Sequence, residues 1–278
     1  MHIRERKSPW EVIAQLAKRC DVILEVIDAR MPELSRNEQV EQIVKDSGKP
    51  LIIVVNKTDL IPPKQLGKII DTIRKEYLCY AVSGKSKRGM RALHERLHII
   101  KSNLQKEGKL GQEDDLKKFQ RHHADRLKVG LVGYPNTGKS SVINSLVFKN
   151  KAKVSSKSGT THGVQWIAAG EEIMLMDSPG VIPLIRGDEV RYALFGARDS
   201  TQLKDLHLVA YRIIELFNEQ KAKLEDFYKI KISTEDPEEL IESIGKKKGF
   251  LKRGGVIDES RTAALIIQDW QEGRLNLR

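Results

Sequence analysis

Apolar runs alternate with amphipathic stretches over the first half of the chain. Asp21-Val22-Ile23-Leu24-Glu25-Val26-Ile27-Asp28 and Leu51-Ile52-Ile53-Val54-Val55 are nearly continuous in apolar residues. Runs of that kind predict strands covered on both faces, as in a parallel sheet. Helical periodicity fills the gaps, predicting helices over 11–19, 36–47, 63–76 and 89–102, with a short strand over 79–82. The sheet pattern resumes over 127–132, continues through a helix over 139–148, and adds strands over 163–168 and 171–176. After about Gly187 only helical signal is left, at 188–197, 201–218, 236–247 and 259–271. Residues 103–126 break the pattern. They are charged, carry Gly108 and Gly111 and the pair His122-His123, and have no strong apolar period. The prediction is an α/β domain over 1–186 with a joint at 103–126, followed by a small α-helical domain over 187–278.

The residues that can do chemistry sit at the ends of these strands. Gly133-Tyr134-Pro135-Asn136-Thr137-Gly138-Lys139-Ser140 follows a strand and opens a helix. It fits G-x-x-x-x-G-K-[ST], in which glycines let backbone N–H groups turn toward phosphate oxygens at a helix N-terminus. Lys139 is placed to neutralise β- and γ-phosphates and Ser140 to ligate Mg²⁺; Asn136, Thr137, Gly138 and Ser141 complete the expected phosphate-side contacts. Asp177-Ser178-Pro179-Gly180 ends an apolar strand. Its carboxylate suits the same ion and the Gly180 amide the γ-phosphate. Between these two motifs, residues 150–163 are basic and rich in Ser, Thr and Gly, the composition of a mobile switch loop. Thr160 and Thr161 there offer a further hydroxyl for Mg²⁺, with Thr161 preferred.

Asn56-Lys57-Thr58-Asp59 follows the second buried strand. Asp59 can accept hydrogen bonds from guanine N1–H and its 2-amino group, which adenine does not present. A site built this way rejects the wrong base strongly, because a buried carboxylate would be left unpaired. Asn56 is expected to tether neighbouring loops, and the Lys57 stem to cover the ring face. Ser83-Gly84-Lys85, after the next strand, supplies a backbone amide for guanine O6. Lys139, Thr161 and Gly180 are the catalytic candidates. The residue after D-x-x-G is Val181, which cannot orient an attacking water, so slow intrinsic hydrolysis is expected.

Charge adds a partner. The chain carries a net charge of +11, and the excess lies in residues 1–186, with 33 Lys and Arg against 21 Asp and Glu. Residues 187–278 carry 16 against 17. Acid-poor clusters occur at Lys85, Lys87, Arg88, Arg91 and Arg96, at Lys149, Lys151, Lys153 and Lys157, and at Lys246, Lys247, Lys248, Lys252 and Arg253. Three such clusters point to a polyanion partner. Aromatic content of only 5% argues against base stacking as the main mode of contact. Cys20 and Cys79 lie among apolar residues, as reduced buried thiols do, and no run approaches the ~18 apolar residues that span a bilayer. The polar start is unlike a signal peptide, so a cytoplasmic location is expected.

The order of the motifs is their most specific property. The guanine motif begins 77 residues before Gly133, whereas Ras-like GTPases place the phosphate loop first. Asp28-Ala29-Arg30-Met31-Pro32, then Ser35-Arg36-Asn37, NKTD, SGK, GYPNTGKS, GTT and DSPG, in this order, resemble the YlqF/YawG group of circularly permuted ribosome-assembly GTPases. The likeness covers roughly residues 10–186 and has a weaker echo over 254–274. It implies a P-loop GTPase fold with permuted motif order. It also implies GTP hydrolysis to GDP with Mg²⁺, coupled to maturation of the large ribosomal subunit through rRNA, with neither DNA nor a membrane as partner. Asn136 matches the residue that coordinates K⁺ in potassium-stimulated GTPases. Bacterial members carry a Gly-His pair near the N-terminus; here His2 stands off that spacing, and His122, His123 and His162 are the alternatives. The short connection through Pro183 and Gly187 leads to the expectation that the γ-phosphate, sensed at Gly180, sets the orientation of the helical domain. A regulatory GTPase acting on a protein effector is the alternative reading.

Overall fold

The computed structural model describes residues 8–110, 125–147, 165–177, 189–196, 205–220, 222–231 and 234–277, with Ile182 and Leu203. The chain divides into two units, one built from 1–59 and 63–183, the other from 184–278 together with Leu60–Pro62.

The first unit is a six-stranded sheet. Its strands are β1 (Val22–Asp28), β2 (Leu51–Asn56), β3 (Leu78–Ala81), β4 (Leu127–Val132), β5 (Gln165–Ala169) and β6 (Ile173–Asp177), in the spatial order β3-β2-β1-β4-β6-β5. All pairings are parallel except β5 with β6. From β1 the chain steps outward through β2 to β3; from β4 it steps the other way, to β6 and β5. The strand order therefore reverses between β1 and β4. In open α/β sheets ligands bind beyond the carboxyl ends of the strands at such a point. Here those ends are Asp28 and, after Val132, the loop that starts at Gly133.

Both faces of the sheet are covered, which explains the continuous apolar runs. Val22, Leu24 and Val26 of β1 join a core with Met90, Leu93 and Leu97 of α5 (Met90–Lys106) and Val142 and Leu146 of α6 (Lys139–Leu146). On the other face lie α1 (Pro9–Arg19) and α3 (Glu38–Asp46), which pack on β4 and β2. Gly130 of β4 lets Leu16 of α1 approach within a methyl's width. Ser8 caps α1 in a reciprocal box with Glu11, and Pro9 occupies the first helical position. Cys20 and Cys79 are both buried, and burial pushes the Cys79 thiol up to about 11.

Some predicted bounds move for local reasons. The helix predicted over 36–47 starts at Glu38 because Asn37 caps it, its side chain accepting the Val40 N–H. A four-residue helix, α2 (Pro32–Ser35), precedes it and is too short to show a period. The helix predicted over 63–76 is α4 (Pro63–Ile73). α5 runs on to Lys106, so the start of the predicted joint is helical; residues 111–124 lie outside the described part.

Within the second unit are α7 (Glu189–Leu194), α8 (Leu206–Glu219), α9 (Leu224–Tyr228), α10 (Pro237–Lys248) and α11 (Glu259–Gln271). The helix predicted from 201 begins at Leu206, where the Asp205 carboxylate accepts the Leu208 N–H. A turn over 252–255, closed by a bridge between Leu251 and Ile257, and the short α9 escaped the sequence reading. α8 and α11 form the centre of this unit. Trp270 is fully buried, stands edge-on to Phe217, and donates its indole N–H to the Leu194 carbonyl at 3.0 Å. Leu60 belongs to this unit because its carbonyl accepts the Leu277 N–H at 2.8 Å. No described helix is long and apolar enough to cross a membrane.

Two stability outcomes follow from buried groups. Trp270→Ala should cost about 3–5 kcal/mol by denaturant unfolding, the range for emptying a large aromatic site. Glu25 stands in the apolar run of β1, wholly buried, accepting the Asn37 N–H. Burial, and then the adjacent Glu41 carboxylate, push its carboxyl well above the ordinary range. A carboxyl raised in the folded state contributes stability below its unfolded value of about 4.3, and that contribution is lost as pH rises through the folded value. Glu25→Gln should therefore gain on the wild type in melting temperature as pH climbs from 4.5 to 8; a constant gap would show that Glu25 is not raised.

Candidate functional site

Three loops meet beyond the carboxyl ends of β2, β3 and β4, and one side chain joins them. Asn56, the last residue of β2 and 2% exposed, donates from Nδ2 to the Thr137 carbonyl at 2.9 Å. Its Oδ1 accepts the Gly84 N–H, also at 2.9 Å. A buried carboxamide with both ends used fixes the loops that carry Thr137 and Gly84 relative to its own. The Gly84 loop is also seated on α6: the Ser145 hydroxyl donates to the Gly84 carbonyl at 2.8 Å. A Cβ on Gly84 would come within 2.7 Å of the Ser141 Cβ. Thr58 reaches the same loop, its hydroxyl donating to the Val82 carbonyl at 2.9 Å.

The loop between β4 and α6 has the backbone its sequence demands. Gly133, Asn136 and Gly138 all have positive φ, at 146°, 57° and 96°. Such turns aim successive N–H groups into one concavity, and Gly138 opens α6, whose first amides add to it. A side chain at Gly138 would collide with Asn56 Nδ2, so glycine is required there for conformation and for space. Thr137 is buried, its hydroxyl donating to the Tyr134 carbonyl at 3.0 Å. Lys139 is 8% exposed, and its ammonium donates to the Gly133 and Tyr134 carbonyls, both at 2.8 Å. Asn136, Ser140 and Ser141 are exposed. The concavity, a lysine inside it and a hydroxyl at the first helical turn can hold a polyphosphate with a divalent cation.

The remaining predicted residues fall around this junction. Lys57 has φ of 61°, and its ammonium lies 2.9 Å from Asp28 Oδ2. Asp59 sits half-buried in a 3₁₀ turn over Thr58–Leu60. Ser83 is buried, accepting the Ser86 N–H, and Lys85 is exposed. Asp177 closes β6 opposite Leu131, two residues before Gly133, so backbone register brings it to the phosphate loop. Thr160, Thr161, Gly180, Val181, His2, His122, His123 and His162 lie outside the described residues.

The sequence reading missed Asp28 as part of this site, although the motif around it was noticed. Asp28 is 1% exposed and paired with Arg30 as well as Lys57. Burial opposes its charge, but the Arg30 and Lys57 cations outweigh burial and hold the carboxyl well below the usual range. Burial in turn lowers Lys57, against the pull of Asp28. The signal was the NKTD lysine itself, which needs an anion once its ammonium leaves water.

Comparison with known proteins places this geometry. The family profile described as "50S ribosome-binding GTPase" matches residues 128–242. An uncharacterized GTP-binding protein of Methanocaldococcus jannaschii is 36% identical over 276 residues, which is 99% of this chain and 68% of that protein. Ribosome biogenesis GTPase A of Priestia megaterium is 31% identical over 267 residues, covering 92% and 87% of the two chains. The chain is a circularly permuted GTPase of the ribosome biogenesis GTPase A (YlqF) family. The fold agrees: GDP-bound YlqF of T. maritima superimposes with a TM-score of 0.62 at 23% identity, covering 95% of this chain and 96% of that one. The permuted GTPase order predicted from the motifs is thus present, with β1 to β3 preceding the phosphate-loop strand in the chain and β1 pairing with it in the sheet.

For this YlqF-family protein the Asn56 junction makes a direct expectation. Asn56→Ala should weaken GDP binding by at least about tenfold, since it frees two loops and leaves the buried Thr137 carbonyl and Gly84 N–H unpaired. Titration with a fluorescent GDP checks it.

Proposed function

We propose that the protein hydrolyses GTP to GDP at this site and acts as a switch in assembly of the large ribosomal subunit, by contact with rRNA. The observation that carries the nucleotide half is the Asn56 joint, which locks a guanine-type motif, an SGK loop and a phosphate loop into one constellation. Asp59 reads the base edge, Lys57 covers the ring, and the Ser83-Gly84-Lys85 loop meets O6. The amides from Asn136 to Ser141 hold the phosphates, and Lys139 neutralises charge on them. Ser140 and Asp177 would hold Mg²⁺, joined by Thr161, and the ion would neutralise phosphate charge. Gly180 donates its amide to the γ-phosphate. Asn136, exposed at positive φ inside the loop, suits a K⁺ site that would spread developing charge as an arginine finger does.

The assembly half is supported by the relatives' names and by charge. Lys85, Lys87 and Arg88 are exposed ahead of α5 and Arg91 in its first turn, with Lys246, Lys247 and Lys248 exposed at the end of α10. Electrostatic contact with a phosphate backbone makes binding steeply salt-dependent. A cytoplasmic location fits a partner of this kind.

GTP turnover in potassium and in sodium buffer, with and without purified large subunits or their precursors, tests the proposal. Expected are slow turnover alone, stimulation by the particle, loss of both with Lys139→Ala, and a lower rate in sodium. Turnover untouched by the particle in every buffer would remove the ribosomal half and turn attention to protein effectors. Equal rates in the two cations would remove the role of Asn136.

A further inference from the structure

Residues 28–37 leave β1 at the point where the strand order reverses, between the strand that ends in Asn56 and the strand that feeds the phosphate loop. The segment is tied down at both ends. Its Asn37 Nδ2 donates to the hydroxyl of Tyr134, a buried residue of the phosphate loop, at 2.9 Å. At the other end the Asp28 carboxylate receives the Lys57 ammonium at 2.9 Å. Between them the segment is internally braced. The Ser35 hydroxyl accepts the Asp28 N–H at 3.0 Å and donates to the Met31 carbonyl at 2.6 Å.

Asp28 is over-provided for as a mere structural ion. Arg30 alone satisfies its charge, with the backbone N–H at 3.0 Å and Nε at 3.1 Å on Oδ1 and Nη2 at 2.8 Å on Oδ2, both side chains 1% exposed. Lys57 brings a second cation to Oδ2, from the end of the neighbouring strand. The second cation is the lysine of the guanine motif, and it stands on a backbone with φ of 61°, a conformation non-glycine residues seldom adopt. β1 and β2 are in register up to Asp28 and Asn56, and the Ala29 N–H donates to the Asn56 carbonyl at 2.9 Å, so both partners hang from the same pair of strand ends.

We infer that Asp28 is a positioning residue for the guanine base: it anchors the Lys57 ammonium so that the lysine stem is already laid out where the ring binds. The inference rests on the nucleotide-site reading of Asn56-Lys57-Thr58-Asp59 given above. An unanchored lysine must be ordered each time the base arrives, and that loss of freedom is subtracted from affinity; an anchored one has lost it already. Arg30 holds the carboxylate in place for the purpose, and the Asn37–Tyr134 bond ties the far end of the segment to the phosphate loop.

The test is a double-mutant cycle read by titration with a fluorescent GDP, with thermal melts to confirm folding. Its variants are Asp28→Asn, Asp28→Glu, Lys57→Met and Asp28→Asn with Lys57→Met. If Asp28 acts through Lys57, Asp28→Asn weakens GDP by about tenfold or more, and the double variant is no weaker than Lys57→Met within about twofold. Asp28→Glu, which keeps the charge, binds GDP better than Asp28→Asn, which keeps the shape. Losses that multiply in the double variant overturn the inference, as does an asparagine tolerated better than a glutamate. If Asp28→Asn does not fold, Asp28→Glu takes its place in the cycle, and multiplying losses again overturn it. Failure of the underlying reading looks different: the wild type would not bind GDP, or Lys57→Met would bind it as the wild type does.

Discussion

The Asn56 carboxamide is the joint on which the site depends. It is buried at the end of β2, it spends its donor on the phosphate loop and its acceptor on the loop after β3, and Gly138 lacks a side chain because Asn56 occupies that space. Each half of the contact alone would be an ordinary hydrogen bond. Together they convert three separate strand ends into one rigid receptor, because movement of any loop leaves a buried polar group without a partner. The seating of Gly84 on Ser141 and Ser145 carries that rigidity into α6.

Permutation of the chain leaves this arrangement intact, since strand adjacency and not strand order in the sequence decides what meets at the switch point. β1 sits between β2, which ends in Asn56, and β4, which leads into the loop at Gly133, and the chain leaves it through Asp28, Arg30 and Ser35 to Asn37 before turning into α3. Those residues contact Lys57 on one side and Tyr134 on the other. Below them Glu25 and Glu41 share a buried space with the Arg36 guanidinium, which holds Glu41 through two hydrogen bonds of 2.8 Å. Asp28, Arg30, Asn37, Asn56 and Thr137 are all buried polar residues of this region.

Much of this was legible in the residues. Two-sided burial wrote β1, β2 and β4 as apolar runs, and glycine at 133 and 138 marked a loop that only positive φ could build. Asn56 was expected to tether loops, and it does. What could not be read depended on distance through space. The Asp28–Lys57 pair joins residues 29 positions apart, and a sequence shows an aspartate at a strand end without showing what faces it. Glu25 was read only as part of a buried strand; its proximity to Glu41 exists only once α3 is docked. α2 and α9 are shorter than the period that would reveal them. Leu60–Pro62 follow the guanine motif directly, yet they pack with the helical unit through Leu277, a contact across more than two hundred residues.

Whether Asn56-Lys57-Thr58-Asp59 reads a guanine base is tested by exchanging the base it prefers. Xanthine differs from guanine by a carbonyl in place of the 2-amino group. An asparagine at position 59 can accept from N1–H and donate to that carbonyl, whereas aspartate would face it with a second acceptor. Competition titrations with GDP, xanthosine diphosphate and ADP on the wild type and Asp59→Asn are therefore decisive. The expected result is a wild type that prefers GDP and a variant that prefers the xanthine nucleotide, with ADP bound poorly by both. A variant that keeps its preference for GDP, or a wild type that takes ADP as well as GDP, would show that Asp59 does not read the guanine edge.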